Sequence, residues 1–162
     1  MEQREKQELD SLEEVEKEEE RPSAVTHEET IPLFGYELLR DIVLPDILGK
    51  EIDNISYWAG KNIARLYPQP SLADLQTFFI RAGWGTLTLK KEQRSSLEFE
   101  LSGPSVERRL HNKETCSFQL EAGFLAEQIQ AQKGYTAEAE QWKKHRNKVV
   151  LSIVYDRRDI LV

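Results

Sequence analysis

The hydrophobic pattern of this 162-residue chain changes from a helical to an alternating period at the glycine-rich segment 83–85. Before it, between residues 31 and 82, large apolar side chains recur at intervals of three and four, the spacing of one helix face. After it, apolar and polar residues alternate in 86–101 and again in 148–156, as in strands buried on one face. The order predicts helices first, followed by an antiparallel hairpin and a strong terminal strand.

Three helices fit the first part of the chain. The first covers 31–49, with a kink or break near residue 44 where Pro45 removes a backbone donor, and it ends at Gly49. The second covers 52–66, and the third runs from a capping box at 71–74 to about residue 82. The first two helices each have one apolar face; its members are Leu33, Phe34, Leu38, Leu39, Ile42, Val43, Ile47 and Leu48 in the first, and Ile55, Trp58, Ala59, Ile63 and Leu66 in the second.

Two shorter stretches are harder to assign. Residues 106–111 are ambiguous, and we predict a short third strand there. Residues 136–144 combine helix-forming residues with an alternation of small and polar side chains. We predict a strand for 136–144, because a terminal hairpin gives the strand at 148–156 an adjacent partner.

The segment 115–130 is apolar on two nearly opposite sides of a helical wheel, one with Phe118, Ala122, Leu125 and Ile129 and the other with Leu120 and Phe124. Such a helix must be covered twice, so we predict a central helix between the sheet and either other helices or a second subunit. Gly123 within it costs about 1 kcal/mol relative to alanine. Close approach of a neighbouring helix or of a bound molecule should therefore require this glycine.

Charge is concentrated at the N-terminus. The net charge is −7, and residues 1–30 hold 12 acidic and 4 basic residues, or −8, which leaves +1 for residues 31–162. We predict a disordered acidic tail over 1–30 and a single domain over 31–162; the alternative for the tail is a short docking helix with Leu9, Leu12 and Val15 as its apolar stripe.

The nearly neutral charge of residues 31–162 argues against nucleic acid as a partner. The basic pairs at 108–109 and 157–158 and the run 143–148 are interpreted as solvated strand ends or turns, with an anion or acidic-partner patch as the alternative.

Composition also bears on the compartment. No apolar run approaches the roughly 18 residues of a membrane span, and the acidic N-terminus is unlike a secretory signal, so we expect a cytoplasmic protein. A single cysteine excludes an internal disulfide and a zinc site built from several thiolates, which agrees with a reducing compartment.

Several segments carry a resemblance to a known family; they are Ile31–Asp41, Tyr57–Arg65, Ala82–Leu89 and Cys116–Ile129. In this combination and order they resemble the uncharacterised YslB-like family of Bacillus-type bacteria over about residues 31–156. That family is distantly similar to a superfamily that includes the vinyl-reductase-type small-molecule-binding domain, the haem-nitric-oxide domain and the TRAPP tethering subunits. The resemblance implies an α+β fold, with about four helices on a twisted antiparallel sheet of about four to five strands and a central buried helix near 115–130.

The known activities of that superfamily transfer poorly to this sequence. Haem-nitric-oxide domains need an axial histidine on a helix, whereas His27 lies in the tail and His111 and His145 fall near predicted strand ends. Vinyl-reductase-type domains commonly carry several cysteines in the C-terminal hairpin, and residues 136–156 have none. We therefore expect neither haem nor a metal site, and no cofactor.

Large rings are the main candidates for ligand contact. Core packing explains them most simply, and the alternative is that some line an apolar pocket. The candidate pocket residues are Tyr57, Trp58, Trp84, Phe118, Gly123 and Phe124. The sequence shows no glycine-rich phosphate loop, nucleophile elbow or metal-spaced cluster, so we expect no catalysis.

Cys116 stands near the predicted N-terminus of the central helix, whose dipole would favour a thiolate, so it is either a structural residue or a reactive thiol. The acylated cysteine of one type of tethering subunit does not align with it clearly, and that role is not carried over. Glu121 and Glu127 flank the same apolar helix, where a rim position or an ion pair is expected rather than an unusual titration.

The leading hypothesis is a non-enzymatic, dimeric α+β domain that binds an apolar small molecule or acyl group in a core pocket, as the resemblance suggests. One alternative is a dimeric protein–protein interaction module without a ligand. A thiol-based sensor built on Cys116 is the other.

Overall fold

The computed structural model describes residues 30–111 and 116–161. The tail assigned to 1–30, including the stripe of Leu9, Leu12 and Val15, lies outside the described residues except for its last position. The elements described below belong to the unit that begins at Pro32.

The first part of the chain is helical, as predicted, but its first helix is not uniform. It consists of α1 (Leu33–Glu37), a π-helical stretch (Leu38–Val43), α2 (Leu44–Leu48) and a 3-10 turn (Gly49–Glu51), which together are called the N-terminal segment. Pro45 lies in the first turn of α2, where no N–H is needed, so the break expected near Leu44 takes the form of a change in winding. Gly49 ends α2 with a φ of 55°.

Two further helices follow, α3 (Ile52–Leu66) and α4 (Leu72–Arg81). The predicted cap starts α4, because the Ser71 hydroxyl accepts the N–H of Asp74 at 3.1 Å.

Within the described residues, one antiparallel sheet contains β1 (Thr86–Glu92), β2 (Ser96–Ser102), β3 (Tyr135–Ala139), β4 (Lys143–His145) and β5 (Lys148–Ile160). The order is β1-β2-β5-β3, and the short β4 also pairs with β5. Between β2 and β3 the chain forms α5 (Pro104–His111) and α6 (Gln119–Lys133). The α+β class, the hairpin and the terminal strand are confirmed, and the stretch predicted as a strand at 136–144 is divided between β3 and β4.

The inner face of the sheet follows directly from the period-two pattern. Phe99 lies opposite Leu151, Leu101 lies opposite Val149, and all four side chains are buried. Because the apolar positions of neighbouring strands stand in register, they form one continuous surface.

The helix α6 is the central helix that the sequence predicts. It packs against α3 on one side and against β3 and β5 on the other. Its buried residues, Glu121, Ala122, Gly123, Phe124, Leu125, Ala126, Gln128 and Ile129, surround the helix axis. A core on both sides explains why its apolar positions do not form a single stripe.

Two glycines let α3 and α6 approach each other closely. A Cβ added to Gly123 would collide with the backbone of Tyr57, lying 2.8 Å from its carbonyl carbon. A Cβ added to Gly60 would lie 2.7 Å from the backbone nitrogen of Phe124. A neighbouring helix, rather than a bound molecule, therefore requires Gly123.

The prediction of a strand at 106–111 was wrong, because this stretch belongs to α5. Gly103 turns the chain with a φ of 116°, and Pro104 then occupies the first turn of a helix. Val106 and Leu110, four residues apart, are both buried. An element of one or two turns contains too few apolar residues for the period of a helix to be distinguished from that of a strand.

Much of the apolar surface of the first two predicted helices is exposed. Phe34, Ile42 and Ile47 of the N-terminal segment are exposed, and so are Trp58 and Leu66 of α3. The buried residues of α3 are instead Gly60, Lys61 and Ala64. The N-terminal segment and α3 turn many of their apolar residues toward solvent or toward a cavity between them.

No helix among the described residues combines the length and the apolar character that crossing a membrane requires.

Candidate functional site

A cavity of about 580 Å³ lies between the N-terminal segment and α3. Its lining is mainly apolar, and the apolar residues are Leu39, Leu44, Leu48, Ile52, Ile55, Ala59, Ile63, Trp84 and Leu120. This explains the exposed faces of the two helices in part, because side chains such as Leu39 and Ile55 border open space instead of a packed core. Leu120 extends from the central helix, whose side opposite the sheet therefore contributes to the cavity.

One side of the lining is polar, because the π-helical stretch brings two charged residues inward together. Arg40 and Asp41 are consecutive, and both are buried. The i to i+5 hydrogen bonds of a π-helix place more residues in each turn than an α-helix has. The angle around the helix axis between consecutive side chains is therefore smaller. The widened turn thus allows adjacent positions to share the inner face of the segment.

These two residues, with Arg109 of α5 and Glu121 of α6, form what we call the buried charge cluster. The Arg109 guanidinium donates from Nε to both carboxylate oxygens of Asp41, at 3.1 and 3.3 Å, and from Nη1 to Glu121 Oε1 at 3.1 Å. From Nη2 it donates to the Ser117 carbonyl oxygen at 2.5 Å. Its carbon Cζ also lies 4.3 Å from the centre of the Phe118 ring. Every nitrogen of Arg109 thus has a partner within the protein.

Arg40 is held by a different set of contacts. Its Nη1 donates to the Tyr36 hydroxyl at 2.6 Å, and its Nη2 lies 2.5 Å from Glu121 Oε1, in a charge contact that is not directed as a hydrogen bond. Burial lowers the pKa of the Arg40 guanidinium, but the Glu121 carboxylate and Tyr36 outweigh it, and the pKa ends above its usual range. Arg40 is therefore a permanent cation.

The buried charge cluster contains two guanidinium groups and two carboxylates, all almost completely shielded from water. Because the charges occur in equal number, the cluster is neutral as a whole. Glu121 Oε2 is buried without a hydrogen-bond partner among the described residues. A buried acceptor without a partner lowers the stability of the folded state.

Of the candidate pocket residues named from the sequence, Trp84 lines this cavity. Phe118 and Phe124 are fully buried and lie in the core. The ring of Phe124 stacks on Phe78 with 4.5 Å between centroids, and Trp84 meets it edge-on at 5.2 Å. Core packing accounts for Phe118 and Phe124, and contact with a ligand stays a prediction for Trp84.

Tyr57 and Trp58 are not among the cavity-lining residues either. The Tyr57 hydroxyl donates to Glu138 and accepts the N–H of Ala139 at 3.0 Å, so it joins α3 to β3. Burial raises the pKa of this phenol above its usual range. Trp58 is 60% exposed and lies on the outer surface of α3.

Cys116 lies beside the buried charge cluster, half-buried. Burial raises the pKa of its thiol to about 11, against an opposing effect of Arg109. The protonated thiol therefore dominates at neutral pH, and the thiolate is the nucleophilic form. This favours the structural interpretation of Cys116 over the reactive one.

The buried charge cluster as a unit was not predicted from the sequence. The pair Arg108-Arg109 was interpreted as solvated; Arg108 fits, with an ion pair to Glu37 at 2.8 Å, but Arg109 is buried. Glu121 is ion-paired, as expected, though fully buried rather than at a rim. The available signal was the Arg40-Asp41 pair within an otherwise apolar helical pattern, where a charged pair requires internal partners once it is buried.

Among the residues that the structure describes, no group of three or more His, Cys, Asp or Glu side chains is placed to hold a metal ion.

A family model and a relative both match this chain over most of its length. A family model described as a protein of unknown function, DUF2507, matches residues 33–155. The chain belongs to the DUF2507 family. The uncharacterized protein YslB of Bacillus subtilis (strain 168) is 52% identical over 128 residues, which are 78% of this chain and 86% of that protein. The resemblance to the YslB-like family is thereby confirmed, and the cavity and cluster lie within the matched range.

Solved structures extend the comparison of this DUF2507 protein to a wider fold. A vinyl-4-reductase family protein from Methanocaldococcus jannaschii is similar over 80% of this chain and 85% of that one, with a TM-score of 0.56 and 17% identity. An H-NOX protein mutant from K. algicida is similar over 80% of this chain and 76% of that one, with a TM-score of 0.49 and 13% identity. The first comparison shows a shared fold.

Proposed function

We propose that this DUF2507 protein binds an apolar small molecule or acyl chain in the cavity between the N-terminal segment and α3. The observation that supports the proposal is the cavity itself, with a volume of about 580 Å³ and a mainly apolar lining. Ligand pockets in proteins range over roughly 300–1,000 Å³ and are lined chiefly by apolar side chains with a few polar groups.

The exposure of the apolar lining argues in the same direction. Leu44 and Ile55 border the cavity and are each 44% exposed. An apolar occupant would remove these side chains from water, which is favourable by about 25 cal/mol per Å² of buried apolar surface.

The shared fold with a vinyl-4-reductase family protein supports the proposal at the level of architecture, since the sequence analysis associates that superfamily with small-molecule binding. We further propose that binding occurs without catalysis and in the cytoplasm. The residues that line the cavity include no histidine and no cysteine.

Filling the cavity is expected to weaken binding without unfolding the domain. Ala59→Phe places a ring in the lined space and should weaken the binding of a dodecyl probe, 1-dodecanol, by about tenfold or more, equivalent to about 1.4 kcal/mol. Isothermal titration calorimetry measures the affinity, and circular dichroism checks the fold. The matched control is Ala73→Phe, at an exposed position of α4. Equal affinity in both variants, or no binding by the parent protein, contradicts the proposal.

A second candidate function is a homodimeric interaction module. It is favoured by the exposed apolar side chains of the N-terminal segment, among which Phe34 and Ile47 are 66% and 71% exposed. A twofold contact between two copies needs a self-complementary surface, and the segment has charges of both signs beside these residues, at Asp46 and Lys50. The proposed partner is therefore a second copy of this chain.

Sedimentation velocity tests the dimer. Ile47→Asp should convert a dimer to a monomer, because a carboxylate would be buried without a partner at the centre of the contact. Ile80→Asp, at a comparably exposed position on α4, should leave the sedimentation coefficient unchanged. A parent protein that sediments as a monomer at every concentration would eliminate this candidate.

A further inference from the structure

The charges on the polar side of the cavity are balanced inside the protein. Three members of the buried charge cluster, Arg40, Asp41 and Arg109, are lining residues with two positive charges and one negative charge, and Glu121, outside the lining, supplies the second negative charge. A ligand that approached Arg40 or Arg109 through a carboxylate would meet Asp41 at the same place. A ligand with an ammonium group would meet both guanidinium groups.

Arg109 already has internal partners with which a head group would compete, whereas Arg40 Nη2, in charge contact with Glu121, makes no directed hydrogen bond. Each nitrogen of Arg109 already donates to Asp41, Glu121 or Ser117. A charged head group could displace one of these contacts only by leaving another buried charge unpaired, and an unpaired buried charge is strongly unfavourable.

Three uncharged hydroxyl groups belong to lining residues, those of Tyr36, Ser56 and Ser117, and the Ser117 hydroxyl already donates to Asp53 at 2.6 Å. The Tyr36 hydroxyl accepts a hydrogen bond from Arg40, and within the described residues its own proton has no acceptor. A hydroxyl whose oxygen is held by a cation is a good donor to a neutral oxygen, because the bond is polarised in that direction.

We infer that the cavity selects an apolar molecule with an uncharged, hydrogen-bonding head group, such as an alcohol, an ester or an amide, and that the Tyr36 hydroxyl donates to its oxygen. The inference rests on the proposed function and adds the chemical class of the ligand. Carboxylates and ammonium ions with the same hydrocarbon chain are rejected, because the balanced buried charge cluster leaves each of them uncompensated.

Three probes of equal chain length test the selectivity: 1-dodecanol, dodecanoate and dodecylammonium, each titrated calorimetrically into the full chain at neutral pH. We expect 1-dodecanol to bind more tightly than both charged probes by about tenfold or more, given the penalty for burying an unpaired charge. Tighter binding of dodecanoate or of dodecylammonium would overturn the inference and leave the proposed function intact. Absence of binding by all three would refute the proposed function and the inference with it.

A variant of Tyr36 tests its contact with the head group separately. Tyr36→Phe retains the ring and removes the hydroxyl, and it should weaken the binding of 1-dodecanol by about fivefold, the effect of one hydrogen bond, without weakening that of the charged probes. Tyr67→Phe, on an exposed tyrosine outside the cavity, should change none of the affinities. An equal loss of affinity for all three probes in Tyr36→Phe, or no loss of affinity for any of them, would overturn the role of Tyr36 as the head-group donor.

Discussion

Replacing Gly123 with alanine is expected to lower the free energy of unfolding by about 2 kcal/mol. The new Cβ would lie 2.8 Å from the carbonyl carbon of Tyr57 and 3.1 Å from its Cα. These are backbone atoms of a helix and cannot rotate aside, so α3 and α6 must separate along their whole contact. We expect the overpacking to destabilise the fold by about 3 kcal/mol, and the better helix propensity of alanine to offset about 1 kcal/mol of this loss.

Urea unfolding followed by circular dichroism measures this effect, and two further variants define it. Gly35→Ala is the matched control, because a Cβ there meets nothing within 4 Å, and it should be neutral or stabilising by up to about 1 kcal/mol. Gly60→Ala should resemble Gly123→Ala, and the double variant should be less destabilised than the sum, since the helices separate once. Equal stability of Gly123→Ala and Gly35→Ala would show that the close helix crossing is not present in solution.

Replacing Glu121 with leucine is expected to destabilise the protein by about 3–5 kcal/mol, the effect of removing one partner of a buried ion pair. The substitution leaves Arg40 and Arg109 buried with Asp41 as the remaining carboxylate of the cluster. Neither guanidinium can release its proton to relieve the imbalance, because arginine stays charged in proteins.

The same helix provides the control for Glu121. Glu127→Ala removes an ion pair with Arg65, whose side chain is 55% exposed, and should change stability by less than about 1 kcal/mol. Adding Arg40→Met to Glu121→Leu should restore much of the loss, because the buried charges are then one cation and one anion again. Similar losses for Glu121→Leu and Glu127→Ala, measured by urea unfolding, would contradict a buried cluster.

The fold was largely predictable because it depends on the spacing of apolar residues. The period-two pattern at 148–156 predicted β5, and the two-sided pattern around Gly123 predicted a helix covered on both sides, as α6 is. Both features follow from how side chains project from a strand or a helix. The short helix α5 escaped this reasoning, since eight residues contain too few apolar positions to define a period.

The candidate site was predictable in small part. Trp84 was expected at a pocket and lines the cavity, whereas Phe118 and Phe124 are core residues. Aromatic residues have the same composition signal in a core and in a pocket wall, because both environments are apolar. The sequence does not show whether protein, empty space or solvent lies beside such a ring, and Trp58, at 60% exposed, is an example of the last.

By itself, the sequence determined the α+β class, the central helix with its required glycine, and membership of the DUF2507 family. The tertiary structure alone decided that the N-terminal segment borders a cavity and that Arg40, Asp41, Arg109 and Glu121 meet in one neutral cluster. The physical reason is the range of the interactions. Periodicity and capping act between residues a few positions apart, whereas the cluster joins residues from three helices, whose proximity arises only when the whole domain packs.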